Sequence, residues 1–309
     1  MDTYKTVDET KFRVVGKNNE KMEEISRPNL TYWKDVWRRI KKNKVAFTGL
    51  MIIIIYIVLA IAGPYMVDYK YTTTNAQETN LTMSQKHWFG TDSLGRDLWA
   101  RIWNGARVSL MIGFTATLIN SFLGVLVGGL SGYYGGKIDM VIMRIIDVLY
   151  GIPYIIVAIL VMVVLGAGVM PLIIAMIIVG WIGTARFIRG EVIRIREQDY
   201  VAAAKILGVS DFTIIYKHIV PNIMGLIITN WTMSVPNAIF SEAFLSYIGL
   251  GIQPPECSWG QLAKAGARLF KVYPYQLFIP AFFISTTMLA LNLLGDGLRD
   301  AFDPKLRGL

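Results

Sequence analysis

Asp199-Tyr-Val-Ala-Ala-Ala-Lys-Ile-Leu-Gly208, continuing as Val-Ser-Asp-Phe-Thr-Ile-Ile-Tyr-Lys-His218-Ile-Val-Pro221-Asn222, lies between two long apolar runs. A mixed polar stretch with such flanks belongs at a membrane face. Asp199 can cap a short helix, and the alanines that follow favour it. Gly208 can end that helix in a left-handed turn. Ser210 can cap a second helix, and Pro221 marks the start of the next apolar run. The stretch therefore reads as a helical hairpin outside the bilayer. The small side chains of Ala202, Ala203 and Ala204 would let another protein approach its backbone closely.

Composition supports the membrane setting. Of 309 residues, 54% are hydrophobic and only 17% are charged, where a soluble domain carries about a quarter. The net charge of +9 would suit nucleic acid, but much of it flanks apolar runs, which fits membrane topology better. A single cysteine, Cys257, excludes an internal disulfide framework and a cysteine-cluster metal site.

Apolar runs near Val45–Val67, Val108–Leu130, Val141–Leu165, Val169–Phe187, Ile219–Tyr247 and Tyr275–Leu294 are each long enough to span a bilayer. The expected fold class is thus all-α, a polytopic membrane protein with about six transmembrane helices. Residues 1–44 read as a cytoplasmic tail without a cleaved signal peptide. Arg27-Pro28-Asn29 breaks any early helix. An amphipathic interfacial helix then runs through Tyr32–Ile40, with Trp33 and Trp37 on one face. Lys34, Arg38, Arg39, Lys41, Lys42 and Lys44 precede the first span, 45–67. The positive-inside rule then puts the N-terminus in the cytoplasm, and six spans return the C-terminal tail, 296–309, to the same side. Residues 68–107 become an extracytoplasmic loop, and 108–295 a membrane core that includes the hairpin 199–221. Lys264, Arg268 and Lys271 lie on the outer side in this topology and run against the charge rule.

Within the 68–107 loop, Gly90-Thr91-Asp92-Ser93-Leu94-Gly95-Arg96-Asp97 offers two tight turns at its glycines and a helix cap at Asp92. It reads as a loop held by Asp92 and Arg96, leading into an interfacial helix with Trp99 and Trp103. Gly135-Gly136-Lys137 invites comparison with a phosphate-binding loop. It fails, because Ser131 stands at the upstream glycine position and neither Ser nor Thr follows Lys137. In the third span Arg144 and Asp147 are three apart on one face and are expected to pair or to face the bundle, as structural or gating groups. Pro153 should kink this span. Glu242, in the outer half of the fifth span, is either a functional acid or hydrogen-bonded to a neighbouring helix. The Pro254-Pro255 and Ser258-Trp259-Gly260 elements suit an external loop dipping toward the membrane. Pro304 should stop the last helix.

Ala203, Ala204, Gly208 and Pro221 resemble the EAA loop of permease subunits from bacterial ATP-binding cassette importers. Ala202 stands where that family carries glutamate. The Gly90–Asp97 pattern, the stretch Ile239–Gly260 and the run Asn292–Pro304 resemble the permease subgroup for oligopeptides, dipeptides and nickel, and within it the second, C-type subunit. The resemblance implies a type I importer permease fold without a catalytic site, cofactor or metal. It implies two cytoplasmic ATPase subunits, a homologous permease subunit and an extracytoplasmic substrate-binding protein as partners. Ala202, Ala203, Ala204, Gly208 and Pro221 would form the ATPase-coupling element; the cargo implied is a peptide, with nickel or another small solute as the alternative, and no nucleic-acid partner is implied. A nickel importer would be favoured by a histidine- or methionine-rich path, but only His87 and His218 are present and the methionines are scattered. A membrane sensor or scaffold would share the topology but not nucleotide-dependent uptake. A secondary transporter would be expected to carry an internal repeat.

Overall fold

The computed structural model describes residues 32–303. Arg27-Pro28-Asn29 and Pro304 lie outside the described residues. Among those described, eleven α-helices and no strand are found. α1 (Tyr32–Lys42) leads into α2 (Lys44–Ala62), whose first turn is capped by Asn43 Oδ1 accepting from Val45 and Ala46 N–H. After a loop come α3 (Leu98–Tyr134), α4 (Gly136–Tyr150), α5 (Tyr154–Leu165) and α6 (Val169–Arg196). α7 (Asp199–Ile206) and α8 (Asp211–Ile214) form the hairpin. α9 (Val220–Ile248), α10 (Trp259–Arg268) and α11 (Tyr275–Phe302) complete the chain.

Among the described residues, five segments are long and apolar enough to cross a membrane: 44–65, α3, α6, 211–248 and α11. The α4–α5 pair makes a sixth only as a broken span, bent by 79°. The expected kink at Pro153 is therefore a full break, since proline removes a helix hydrogen bond and clashes with the preceding turn. The second span also differs from expectation. α3 is one helix of 37 residues, about 55 Å long at 1.5 Å per residue. Trp99 and Trp103 belong to it, and Trp103 is fully buried rather than interfacial. It sits in an aromatic cluster with Tyr56, Trp259 and Phe283, where edge-to-face and stacked ring contacts favour the packing.

α3 and α6 pack along a seam of small residues. Gly124, Gly128 and Gly132 recur every fourth position on α3. A Cβ at Gly128 would lie 2.2 Å from the Ala185 carbonyl oxygen, and one at Gly132 2.7 Å from that of Arg189. In lipid, where apolar side chains gain little from meeting each other, such close backbone approach is what holds helices together. Large apolar side chains such as Ile156, Leu160, Val163 and Val164 on α5 point away from the bundle, the arrangement a hydrocarbon solvent favours.

α1 buries Val36 and Ile40 against Ala301 and Phe302 of α11 and leaves Trp33 and Trp37 exposed, as its pattern predicts. α8 does not stop before the fifth span. It runs through a π-helical turn, Ile215–Ile219, into α9. There the Val220 N–H reaches the Ile215 carbonyl. The wider turn relieves the crowding that Pro221 would impose on the turn before it. Hairpin and span are thus one continuous rod.

Candidate functional site

The hairpin is anchored on one side and bare on the other. Val201, Ala204, Ile214 and Ile219 pack with Ile188, Val192 and Ile195 of α6 and Ile223 of α9. Tyr133 at the end of α3 donates its hydroxyl to Asp211 Oδ1 at 2.5 Å. Gln198, not Asp199, occupies the N-cap of α7, and its side chain makes no cap hydrogen bond. Asp199 falls in the first turn, where a carboxylate still favours the helix dipole. Ser210 caps α8 as expected, its Oγ accepting from Thr213 N–H at 3.4 Å. Gly208 adopts φ +73°. The three alanines do not share a face: Ala204 is buried, while Ala202 and Ala203 are exposed. Around the exposed pair, Ile206 is 87%, Leu207 80% and Phe212 77% exposed.

The Gly90–Asp97 segment is built in the opposite way. Thr91, Asp92, Arg96 and Asp97 are buried. Asp92 does not cap a helix. Its Oδ1 accepts from Leu94 and Arg96 N–H at 2.9 and 3.0 Å, and its Oδ2 accepts from Arg96 Nε at 2.7 Å. Asp97 is the cap of α3, accepting from Ala100 N–H at 2.8 Å. Its other oxygen lies 2.8 Å from Nδ1 of the buried His87. Thr91 donates to the Glu78 carbonyl, and its own carbonyl accepts from Tyr275 and Gln276 of α11. Arg101, wholly buried, donates to the Tyr71 carbonyl at 3.0 Å and sits 3.5 Å from Asp92. Outside this knot Lys86 pairs with Glu78 and holds that carboxyl below the usual carboxylate range. The motif clamps the loop to α3 and α11, and among the buried side-chain atoms here His87 Nε2 and Arg101 Nε have no hydrogen-bond partner among the described residues.

The expected pairing of Arg144 with Asp147 is not found. Both are exposed, and Asp147 pairs instead with Arg186 of α6 at 2.7 Å. Arg186 also lies over the Tyr150 ring. Helix α4 turns Asp147 toward α6, so the ion pair ties two helices rather than two positions of one. Glu242 is buried completely. It accepts from Ser109 of α3 and Ser246 of its own helix, each at 2.8 Å. Ser109 Oγ in turn accepts from the Trp259 N–H at 3.2 Å. Glu242 therefore joins α3, α9 and the start of α10, the segment that folds back into the bundle.

Sequence reading missed two features. One is the glycine seam, visible as a four-residue period. The other is a cavity of about 270 Å³ lined by α3, α5, α6 and α9, with Asn120, Tyr154, Thr184 and Asn237 among its walls. Its residues are scattered singly along apolar spans, so no local pattern announces them.

A bundle of apolar spans, a broken span beside a polar cavity and an anchored hairpin with a bare apolar face define a polytopic membrane transport subunit. The chain belongs to the family described as binding-protein-dependent transport system inner membrane component, whose model matches residues 122–308. Residues 31–83 match the N-terminal transmembrane domain of oligopeptide transport permease C. The chain is 49% identical over 297 residues to the dipeptide transport system permease protein DppC of Bacillus subtilis (strain 168), covering 96% of this chain and 93% of that one. It is 47% identical over 296 residues to the oligopeptide transport system permease protein OppC of the same organism, covering 96% and 97%. It is 40% identical over 279 residues to the glutathione transport system permease protein GsiD of Escherichia coli O6:K15:H31, covering 90% and 92%. The expected all-α fold is the one observed among the described residues, and the chain is a membrane permease subunit of this family.

Proposed function

We propose that this chain is the transmembrane subunit of an ATP-driven importer that carries oligopeptides or dipeptides across the cytoplasmic membrane. It would work with a homologous permease, two cytoplasmic ATPases and an extracytoplasmic substrate-binding protein. The names of the relatives support the cargo class. The hairpin supports the coupling: Ile206, Leu207 and Phe212 offer an apolar face to a partner, and the docked force has a rigid path, since α8, the π turn and α9 are continuous. Ala202 brings no carboxylate to this face, and Ile206, Leu207 and Phe212 bring apolar surface. Docking here rests on apolar burial more than on charge. The hairpin end also carries Arg189, Arg194, Arg196, Lys205 and Lys217, which favours a cytoplasmic location for it and for both termini. Closure of the ATPases would move this rod and shift the bundle between two states, each favoured by a different ligand.

The continuous hairpin-to-span rod carries this reading. Its test is Gly208→Trp, in a complex purified from native membranes and reconstituted in vesicles. A Trp there projects into open space among the described residues, where no atom lies within 4 Å of a Cβ. The expected result is normal membrane insertion with ATP-dependent peptide uptake reduced to background. Gly208→Asn, which tolerates the left-handed conformation, should retain uptake. Normal uptake with the Trp variant, or purification of the wild-type chain without any ATPase, overturns the coupling role.

A further inference from the structure

The cavity between α3, α5, α6 and α9 sits at mid-height. Asn120, Thr184 and Ser234 fall near the middles of three spans: α3, α6 and α9. Its lining carries no charged side chain among the described residues. Asn237 stands at its exposed rim. Tyr154 enters it from the first residue of α5, directly after the break at 151–153. Non-helical backbone at membrane depth is tolerated where it is buried in protein or lines an aqueous cavity, and interrupted helices in transporters mark the places where cargo is held.

Two buried polar atoms of this lining lack partners among the described residues: Asn120 Oδ1 and the Tyr154 hydroxyl. The Asn120 amide is not free to rotate away. Its Nδ2 donates to the Met176 carbonyl at 3.3 Å, which leaves the buried oxygen as the atom still to be satisfied. Gly180 makes room for it, since a Cβ there would lie 2.3 Å from Asn120 Nδ2. An orphaned buried acceptor and an orphaned buried hydroxyl are costly unless something completes them. One acceptor and one donor are the complement of one amide group, which brings an N–H and a C=O.

We propose that this cavity is a midplane subsite that holds a neutral amide unit of the passing cargo, with Asn120 Oδ1 accepting its N–H and the Tyr154 hydroxyl donating to its carbonyl. The assignment rests on the peptide-import reading above. It adds that recognition at this depth is of backbone, not of side chain. The absence of a fixed charge among the described lining residues leaves ionised side chains of the cargo without a counter-charge, so a shared backbone group is what the site can read.

The test is uptake by the complete reconstituted transporter of trialanine and of its depsipeptide analogue, in which an ester oxygen replaces one amide N–H. The same binding protein delivers both in every variant, so its own preference cancels between variants. Asn120→Leu should lower the amide-over-ester preference about fivefold, the value of one ordinary hydrogen bond. Tyr154→Phe, which removes one hydroxyl from an otherwise identical ring, should lower uptake of both substrates by a similar factor and leave their ratio alone. If Asn120→Leu does not assemble, the Tyr154→Phe result decides. Peptide uptake by the wild type with an unchanged ratio in Asn120→Leu, or unchanged uptake in Tyr154→Phe, overturns the subsite and leaves the importer standing. Failure of the wild type to take up trialanine overturns both.

Discussion

At the start of α3, Thr91, Asp92, Arg96, Asp97 and Arg101 turn inward and bond to each other and to α11. Near the other end of the same helix, the hairpin turns Ile206, Leu207 and Phe212 outward and keeps only its inner face for the chain itself. Both segments look similar in sequence, as short motifs with glycines at turns. One spends its side chains on internal order, and the other leaves them exposed, where the proposed function has a second protein meet them. A motif can therefore mark a fixed joint or a face left bare, and burial tells the two apart.

The sharpest way to break this contrast is at Asp92. Asp92→Ala leaves the Arg96 and Arg101 guanidiniums buried beside no counter-charge, which costs about 3–5 kcal/mol for a broken buried pair. Thermal unfolding in detergent should show a large fall in Tm for this variant. An unchanged Tm would mean that the knot is not what holds the loop.

A matched pair of glycines refines it. Gly95 and Gly208 have nearly the same backbone, φ +69° and +73°. Alanine pays the same left-handed strain at each, about 1–2 kcal/mol. At Gly95, however, a Cβ would lie 1.8 Å from the Asn75 carbonyl oxygen, whereas at Gly208 no described atom lies within 4 Å. Gly95→Ala should therefore be the more destabilising by a further ~1–3 kcal/mol of overpacking. Equal losses of Tm would show that the loop simply yields.

The smallest stability effect is expected at Leu207→Glu. The side chain touches solvent, so unfolding should change by no more than ~0.5 kcal/mol. ATP-dependent uptake should nonetheless fall severalfold, as a charge enters an apolar interface. A variant that is equally stable and equally active would show that the apolar face is not a docking surface.

Much of the architecture was readable in the chain. Span positions followed from runs of apolar residues, because a bilayer demands about 20 of them in sequence. The hairpin, its Ser210 cap and the Gly208 turn were readable because capping and left-handed turns are local effects. Which groups pair across helices was not. Arg144 and Asp147 looked like partners by spacing, yet α4 carries Asp147 to Arg186. Trp99 and Trp103 had the spacing of an interfacial pair, but α3 extends far enough to bury Trp103 under α10 and α11. The three alanines looked like one small face, and the turn of the helix divides them.

By itself the sequence determined that the chain has several helices long and apolar enough to cross a membrane, where most of them fall, and which stretch folds as a helical hairpin. These are set by solvent transfer and local backbone preference, which act on neighbours in the chain. Only the tertiary structure decided that the Gly90–Asp97 motif is a closed knot, that Glu242 is locked to Ser109 and Ser246, and that Asn120 and Tyr154 share a cavity. The pairs that close them, Thr91 with Tyr275, Glu242 with Ser109 and Asn120 with Tyr154, join residues tens to more than a hundred positions apart. They depend on how rigid helices cross, and helix crossing is governed by the summed packing of many small contacts that no local pattern records.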